Sequence, residues 1–487
     1  MWSSRDLTDW LVHYGTSQEE FNFIKNSAMF MLPDDHNNSA RYIYKAELHR
    51  LEYGKQYFYK IVSEQSPDIQ SSVFSFKTLD PKKDRERSLR FITYGDMGST
   101  RSAVTVKSIQ QYHDTHPLDA ILHIGDFAYD LMSDSGKVGD DFMKEIQPIA
   151  STIPYMTSPG NHEIPGDFLS YRIRFSAPGI DWPMPLNKLW YSFDIGLVHF
   201  ISYSTEVYFT YMESSACEQF DWLKADLEKA NQNRDKTPWV IAFGHRPMYC
   251  SNTVRDDCSN ATMRRWVKQG LEPLFHAFGV DLVLQAHEHS YERLYPLVNG
   301  IVERFNYTNP RAPVHVITGA AGSMEGTNFM RRDPEYWSAV QQDKVGFNSY
   351  GVLDIINRTH IRYTQIEATD NSTLDSFILQ QDNHGPFVHG ASCQNGHSNL
   401  HYCSCILPLQ RIIIGVVLLA VVAILLIVCV ILGVYYSSNR CNKNKMAYKK
   451  FRTKHCFKSC CFTYRHRFYQ LPSDERDSQS LLNGEVC

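Results

Sequence analysis

The stretch Gln285-Ala286-His287-Glu288-His289-Ser290-Tyr291-Glu292-Arg293 follows the apolar run Val280-Asp281-Leu282-Val283-Leu284. That run is short, β-branched and bounded by polar residues, the pattern of a buried strand. Alternate side chains of a strand share a face, so His287 and His289 point the same way off its end. Imidazole binds zinc, iron and other transition metals, and a His-x-His pair at a strand terminus makes half of a metal site. Two such histidines are equally the ordinary polar surface of a loop. What precedes them decides between the two.

Upstream, from Leu89 onward, strand patterns alternate with helical ones, the sign of an α/β core. Leu89 to Tyr94 is a strand running into Gly95-Asp96-Met97-Gly98, and Ala120 to Ile124 a second running into Gly125-Asp126-Phe127-Ala128-Tyr129. Thr157-Ser158-Pro159-Gly160-Asn161-His162-Glu163 follows a helix predicted over 140–149. Trp239 to Phe243 is a strand ending in Gly244-His245-Arg246-Pro247. Helices are also expected over 102–112 and 220–231. Glycine lets a chain turn sharply and approach an ion, and sites in α/β folds gather outside the carboxyl ends of strands. One Gly-Asp after a strand is a turn. Five such points in order, on Asp, Asp, Asn, His and His-x-His, are a site. Gly319-Ala320-Ala321-Gly322-Ser323, between later strands, reads as a structural turn only.

Asp96, Asp126, Asn161, His245, His287 and His289 provide oxygen and nitrogen ligands for a pair of ions, and Tyr129 adds one more. A carboxylate such as Asp126 can bridge two ions, and two ions about 3.5–4 Å apart can hold a nucleophile and a phosphoryl group in line. The five motifs in this order resemble those of the purple acid phosphatases, within the calcineurin-like metallophosphoesterases, over residues 30 to 386. Gly244-His245-Arg246-Pro247-Met248-Tyr249-Cys250 is similar to the animal long-form branch.

The resemblance implies an α/β metallophosphoesterase sandwich, two mixed sheets flanked by helices, over 88–385. It implies that Asp96, Tyr129 and His289 hold ferric iron, that Asp126 bridges, and that Asn161, His245 and His287 hold a divalent zinc, ferrous iron or manganese ion. His162 then stands beside the substrate phosphate as proton donor to the leaving group. The expected activity is hydrolysis of phosphate monoesters at acid pH by attack of a metal-bound hydroxide. Two departures from the family pattern stand out: Ala286 replaces the usual Gly before His-x-His, and Ser251 to Asn260 replaces the histidine pair of plant members.

Rival readings differ at particular residues. Phosphodiesterases of the wider group carry Asp-x-His at the first motif, where this chain has Asp96-Met97-Gly98 and supplies Tyr129. A non-catalytic adhesion or receptor protein on a dead scaffold would lack ligands, and none is missing. An iron store would need the ligands but not His162.

Residues 1–80 are strand-like, with alternation over 40–48, 55–62 and 72–78 around the turn Glu52-Tyr53-Gly54. They resemble the fibronectin-III-like domain that precedes the catalytic domain in this family, with strands enough for only part of a sandwich. Met1-Trp2-Ser3-Ser4-Arg5-Asp6 contains no signal-peptide apolar run, so the expectation is a sequence that starts inside a longer protein. Pro81 to Arg87 reads as a linker.

A net charge of −4 over 487 residues gives no reason to expect nucleic acid. Residues 412–436 carry no charge and would form a helix about 37 Å long against a hydrocarbon core of about 30 Å. Lys and Arg crowd the residues after Tyr436, so the positive-inside rule predicts a single-pass type I protein. Its catalytic part would face the lumen or cell exterior, at the surface or in endosomes and lysosomes. A polar stalk spans 386–411 and a cytosolic tail 437–487. Sequons at Asn37, Asn260, Asn306, Asn357 and Asn371 and six cysteines before the span suit that compartment. Of the possible disulfides Cys250–Cys258 is the expected one. Asp477-Ser478-Gln479-Ser480-Leu481-Leu482 has the pattern of an acidic dileucine signal for sorting adaptors.

Overall fold

The strands that carry the motifs are apolar on both faces, which demands cover on both sides. The computed structural model supplies it as four layers. It describes residues 1–34, 39–210, 213–253, 258, 261–344, 348–388 and 421–432.

The first sheet runs Tyr155–Ser158, Ala120–Ile124, Leu89–Tyr94, Ser349–Ile355, His360–Glu367, Thr373–Gln380, with the first three strands parallel. The second runs Tyr191–Ile195, Val198–Ser202, Trp239–Phe243, Leu282–Gln285, Val314–Thr318, Tyr291–Leu294, Ser338–Gln342, parallel over its four middle members from Val198 to Thr318. Side-chain parity divides the cores. Phe91, Leu122, Phe200, Ile241 and Leu284 fill the space between the sheets, where the Phe91 and Phe200 rings meet edge-on at 4.8 Å. Their neighbours Ile92, Ile121, Ile201, Val240 and Val283 face the other way, into a core shared with the helices. Helices Ala103–Thr115 and Lys137–Ala150 pack together, as do Glu213–Gln232 and Ala261–Phe278. The hairpin Tyr191–Ser202 and the helix Ala261–Phe278 were not expected. The hairpin's first strand reads YSFDI, with polar residues breaking the run, and that helix carries Pro273 in its interior.

Where the sequence pattern marks three strands before residue 80, the structure has seven, in sheets of three and four. The added ones are Trp2–Ser4, Trp10–Gly15, Phe23–Asn26 and Ala28–Asp34, where apolar residues such as Ile24, Met29 and Met31 occupy exposed positions and hide the polar–apolar alternation. This β-rich part is bonded to the catalytic part. Arg41, 2% exposed, donates to the Ser135 carbonyl at 2.6 Å and pairs with Asp140, which also takes Arg174 at 2.8 Å. Leu32, Ile43 and Ile173 form an apolar cluster alongside. The expected linker is also ordered: Lys83–Arg85 is a helical turn with Asp84 buried and Arg87 bridging Asp84 to Asp119.

The apolar run 412–436 lies outside the described residues except for 421–432, which are helical. Among the described residues no helix is long and apolar enough to cross a membrane. The tail with Asp477–Leu482, nearly all of the stalk, and the sequons Asn37 and Asn260 also lie outside them. Asn306, Asn357 and Asn371 are exposed.

On the hairpin, His199 is pinned between Asp194 of the paired strand at 2.7 Å and Asp226 of helix Glu213–Gln232 at 2.9 Å. Burial disfavours its charge, but the hydrogen bonds it donates to Asp194 and Asp226 outweigh burial and raise its pKa to about 9. A pKa raised on folding stabilises fully below the unfolded value near 6.5 and is lost as pH rises through 9. The His199→Gln variant should therefore lose on the order of 3 kcal/mol of stability at pH 6 and progressively less toward pH 10. Denaturant titrations at the two pH values test this, and an equal loss at both would exclude the charged pair as its cause.

Candidate metal centre

Each motif stands on the turn that leaves a parallel strand. Asp96 and Asp126 adopt left-handed φ of 60° and 58°, as does His287 at 69° and the run Ala128, Tyr129, Asp130 at 63°, 57° and 76°. Non-glycine residues rarely sit there, at a cost of about 1–3 kcal/mol each, and such strain concentrates at functional sites. Two glycines are required by close approach. A Cβ on Gly160 would lie 2.2 Å from Asp126 Oδ1, and one on Gly95 would lie 2.4 Å from the Ala286 Cβ. The second contact shows how the departure at Ala286 is accommodated: its methyl fills the space that Gly95 leaves.

The turns bring all seven expected ligands together in two sets. In one, the Tyr129 hydroxyl is 2.9 Å from His289 Nε2 and 3.4 Å from Asp96 Oδ1, which is 3.4 Å from His289 Nε2. In the other, His245 Nε2 is 3.1 Å from Asn161 Oδ1, 3.2 Å from Asp126 Oδ2 and 3.1 Å from His287 Nδ1. Ligands held about 2.1 Å from one ion at right angles stand about 3.0 Å apart, so these spacings are those of a coordination shell. The His287 backbone N–H donates to Asp96 Oδ2 at 2.8 Å, joining the sets. Cys250, Cys258 and Glu288 also lie together, but the two cysteines are joined as the expected disulfide.

The electrostatics are those of a site built around cations. Burial pushes the Tyr129 phenol well above its ordinary value near 10, and the Asp96 and Asp126 carboxylates push it further. Burial raises Asp96 as well. Burial opposes the Asp126 charge, yet His245 beside it holds the carboxyl far below the usual range. His245 is itself disfavoured by burial, but Asp126, Asp96 and Glu206 raise it to about 10. The donors are hard oxygens and imidazoles, and burial denies them water, so the set fits a pair of iron- or zinc-class ions.

His162 stands beside both sets. Its backbone N–H holds Asp126 Oδ1 at 3.0 Å, its ring lies 4.6 Å from that of Tyr129, and Nδ1 is 3.0 Å from Asp130 Oδ1. Three supporting residues were not singled out from sequence. Glu163 accepts from the backbone N–H groups of Asp126, Phe127 and Gly160 at 2.7–2.9 Å, tying two motif turns together, and burial lifts it to about 8. Glu206 takes the Arg246 Nε at 3.0 Å. Ser323 places its hydroxyl 3.1 Å from His289 Nδ1, and a Cβ on Gly319 would meet Asp96 Oδ2 at 2.7 Å. The Gly319–Ser323 turn is therefore part of the site wall rather than a remote turn, which its small residues did not reveal. Glu163 alone carried a signal, its place inside the third motif.

Because ligands bind in their deprotonated forms, metal loading of stripped protein near pH 7 should release at least two protons, from His245 and Tyr129, with a further share from His289, which Asp96 raises against the effect of burial. Calorimetry in buffers of different ionisation enthalpy counts them. Loading without proton release would mean that these groups are not ligands.

Comparisons with known proteins agree with this geometry. Residues 89–291 match the calcineurin-like phosphoesterase model, 312–376 that of the iron/zinc purple acid phosphatase-like protein C, and 1–78 that of the purple acid phosphatase N-terminal domain. The chain is 39% identical to acid phosphatase type 7 of Danio rerio over 409 residues, covering 79% of this chain and 88% of that one. It is 44% identical to the Homo sapiens acid phosphatase type 7 over 336 residues, 67% and 74% of the two. The purple acid phosphatase PPD1 from yellow lupin seeds shares the fold with a TM-score of 0.65 at 23% identity, over 77% of this chain and 70% of that one. The chain belongs to the purple acid phosphatases, within the calcineurin-like phosphoesterases.

Proposed function

We propose that this chain is an acid phosphatase that hydrolyses phosphate monoesters at a ferric–divalent pair. Asp96, Tyr129 and His289 would hold the ferric ion and Asn161, His245 and His287 the divalent one, which is zinc, ferrous iron or manganese, with Asp126 between them. The observation that carries this is the meeting of two ligand sets at coordination spacing with an imidazole beside them. Bound there, the ions supply Lewis acidity and an acidified water below neutral pH.

The chain's own groups do the rest. Asp130 at Nδ1 orients the His162 ring, leaving Nε2 to give a proton to the departing oxygen. Glu163 and Ser323 keep the ligand turns from relaxing. The phosphodiesterase reading is disfavoured at position 98, which is glycine rather than histidine and where a Cβ would lie 2.9 Å from the Gly322 carbonyl oxygen. A phenolate on ferric iron absorbs visible light, so iron-loaded protein should be violet or pink and Tyr129→Phe should bleach it. Colourless iron-loaded protein under oxidising conditions would exclude Tyr129 as a ligand. His162→Ala should lower turnover by about 100-fold or more with metal content unchanged.

The anchoring reading rests on the uncharged run 412–436 and its cationic C-terminal flank. It makes the protein a type I membrane phosphatase facing the lumen or exterior, sorted through Asp477–Leu482. Changing Leu481 and Leu482 to Ala should raise the surface fraction measured by biotinylation, and an unchanged distribution would remove the sorting signal.

A further inference from the structure

The turn that holds Ser323 against His289 continues along the site. Ser323-Met324-Glu325-Gly326-Thr327-Asn328 is fastened to the His-x-His turn at both ends. At its start, the Ser323 hydroxyl lies against His289 and receives the Glu325 backbone N–H at 3.1 Å. At its end, the Asn328 backbone N–H donates to the His289 carbonyl at 3.2 Å, and its side-chain amide donates to Glu288 at 3.2 Å. Between them Met324 sits over Gly98, with the Thr100 hydroxyl 2.9 Å from its sulfur. A segment held at three points presents a side chain between them in a set place.

That side chain is Glu325. Its Oε1 lies 3.5 Å from His162 Nε2, and the side chain is 58% exposed. Asp130, on the other ring nitrogen, is 43% exposed. The imidazole thus lies between two solvent-facing carboxylates that belong to neither ligand set.

We propose that Glu325 is a specificity-determining residue, favouring monoesters whose leaving group is uncharged or cationic over those whose leaving group carries further phosphates. The proposal rests on the phosphatase reading and assigns the leaving-group side of that site. Nε2 of His162 is the atom that meets the departing oxygen, so every leaving group passes beside the Glu325 carboxylate. A hydroxyl or ammonium group can hydrogen-bond to it. A phosphate on the leaving group brings like charge to within about 6 Å, which at a half-exposed site costs on the order of ten-fold in rate and is screened by salt.

The test compares kcat/KM for an aryl phosphate with an uncharged leaving group and for ATP, whose leaving group is ADP, at low and high salt. Glu325→Gln keeps the shape and removes the charge, and the side chain's exposure leaves folding untouched. The ATP-to-aryl ratio should rise about ten-fold at low salt and less at high salt, and Glu325→Lys should raise it further. A ratio changed by less than about two-fold overturns the assignment. So does an equal loss on both substrates, which would make Glu325 a positioning residue for His162. A metal-loaded wild-type protein that hydrolyses neither substrate overturns the phosphatase reading, and this inference with it.

Discussion

Asp96 and Asp126 are buried to within 1% of full enclosure, and two carboxylates taken out of water must be compensated. The whole catalytic part is arranged around that requirement. Three histidines, an asparagine and a tyrosine meet them, and burial opposes charge on His245 and His289, yet the acids themselves raise both and so gain positive compensation. The Tyr129 phenol is pushed away from ionisation by the same field. A pair of cations relieves all of these costs together, which is why the ligand atoms already stand at coordination spacing.

Holding such groups near one another takes rigid support. The two sheets provide it, since the motif turns leave the parallel strands at one edge and converge between the layers. Behind them stand buried acids that accept backbone hydrogen bonds rather than bind ions. Glu163 gathers three N–H groups and Glu292 takes the Ser251 N–H at 2.9 Å, while Glu288 accepts from the side-chain amides of Asn252 and Asn328. Each fastens chain beside the motif turns, and a buried N–H without a partner would cost about 1–3 kcal/mol. The Cys250–Cys258 disulfide lies in the same belt, next to Ser251 and Asn252.

How much of this was legible in the sequence depends on the range of the interaction. The strands ending in Gly95, Gly125 and Gly244 were readable because apolar runs and the glycines after them are local signals. The strands before residue 35 were not, because apolar residues such as Ile24, Met29 and Met31 stand at exposed positions and hide the alternation, and the helix Ala261–Phe278 was obscured by Pro273. Ser323 and Glu325 were invisible for another reason. They reach His289 and His162 across 34 and 163 positions of chain, and nothing in a short turn announces such a partner.

The sequence by itself determined the candidate ligands: five motifs in order, with Asp96, Asp126, Tyr129, Asn161, His245, His287 and His289 each one turn beyond a strand or beside one. That is possible because residue type and strand-end position are local properties, and metal chemistry restricts which types can serve. Only the tertiary structure decided which ligands share a neighbourhood, that Ala286 is tolerated because it faces Gly95, and that His162 lies between Asp130 and Glu325. Those facts depend on the stacking of two sheets and the path of loops between them, which burial of the shared core sets and no short stretch of chain encodes.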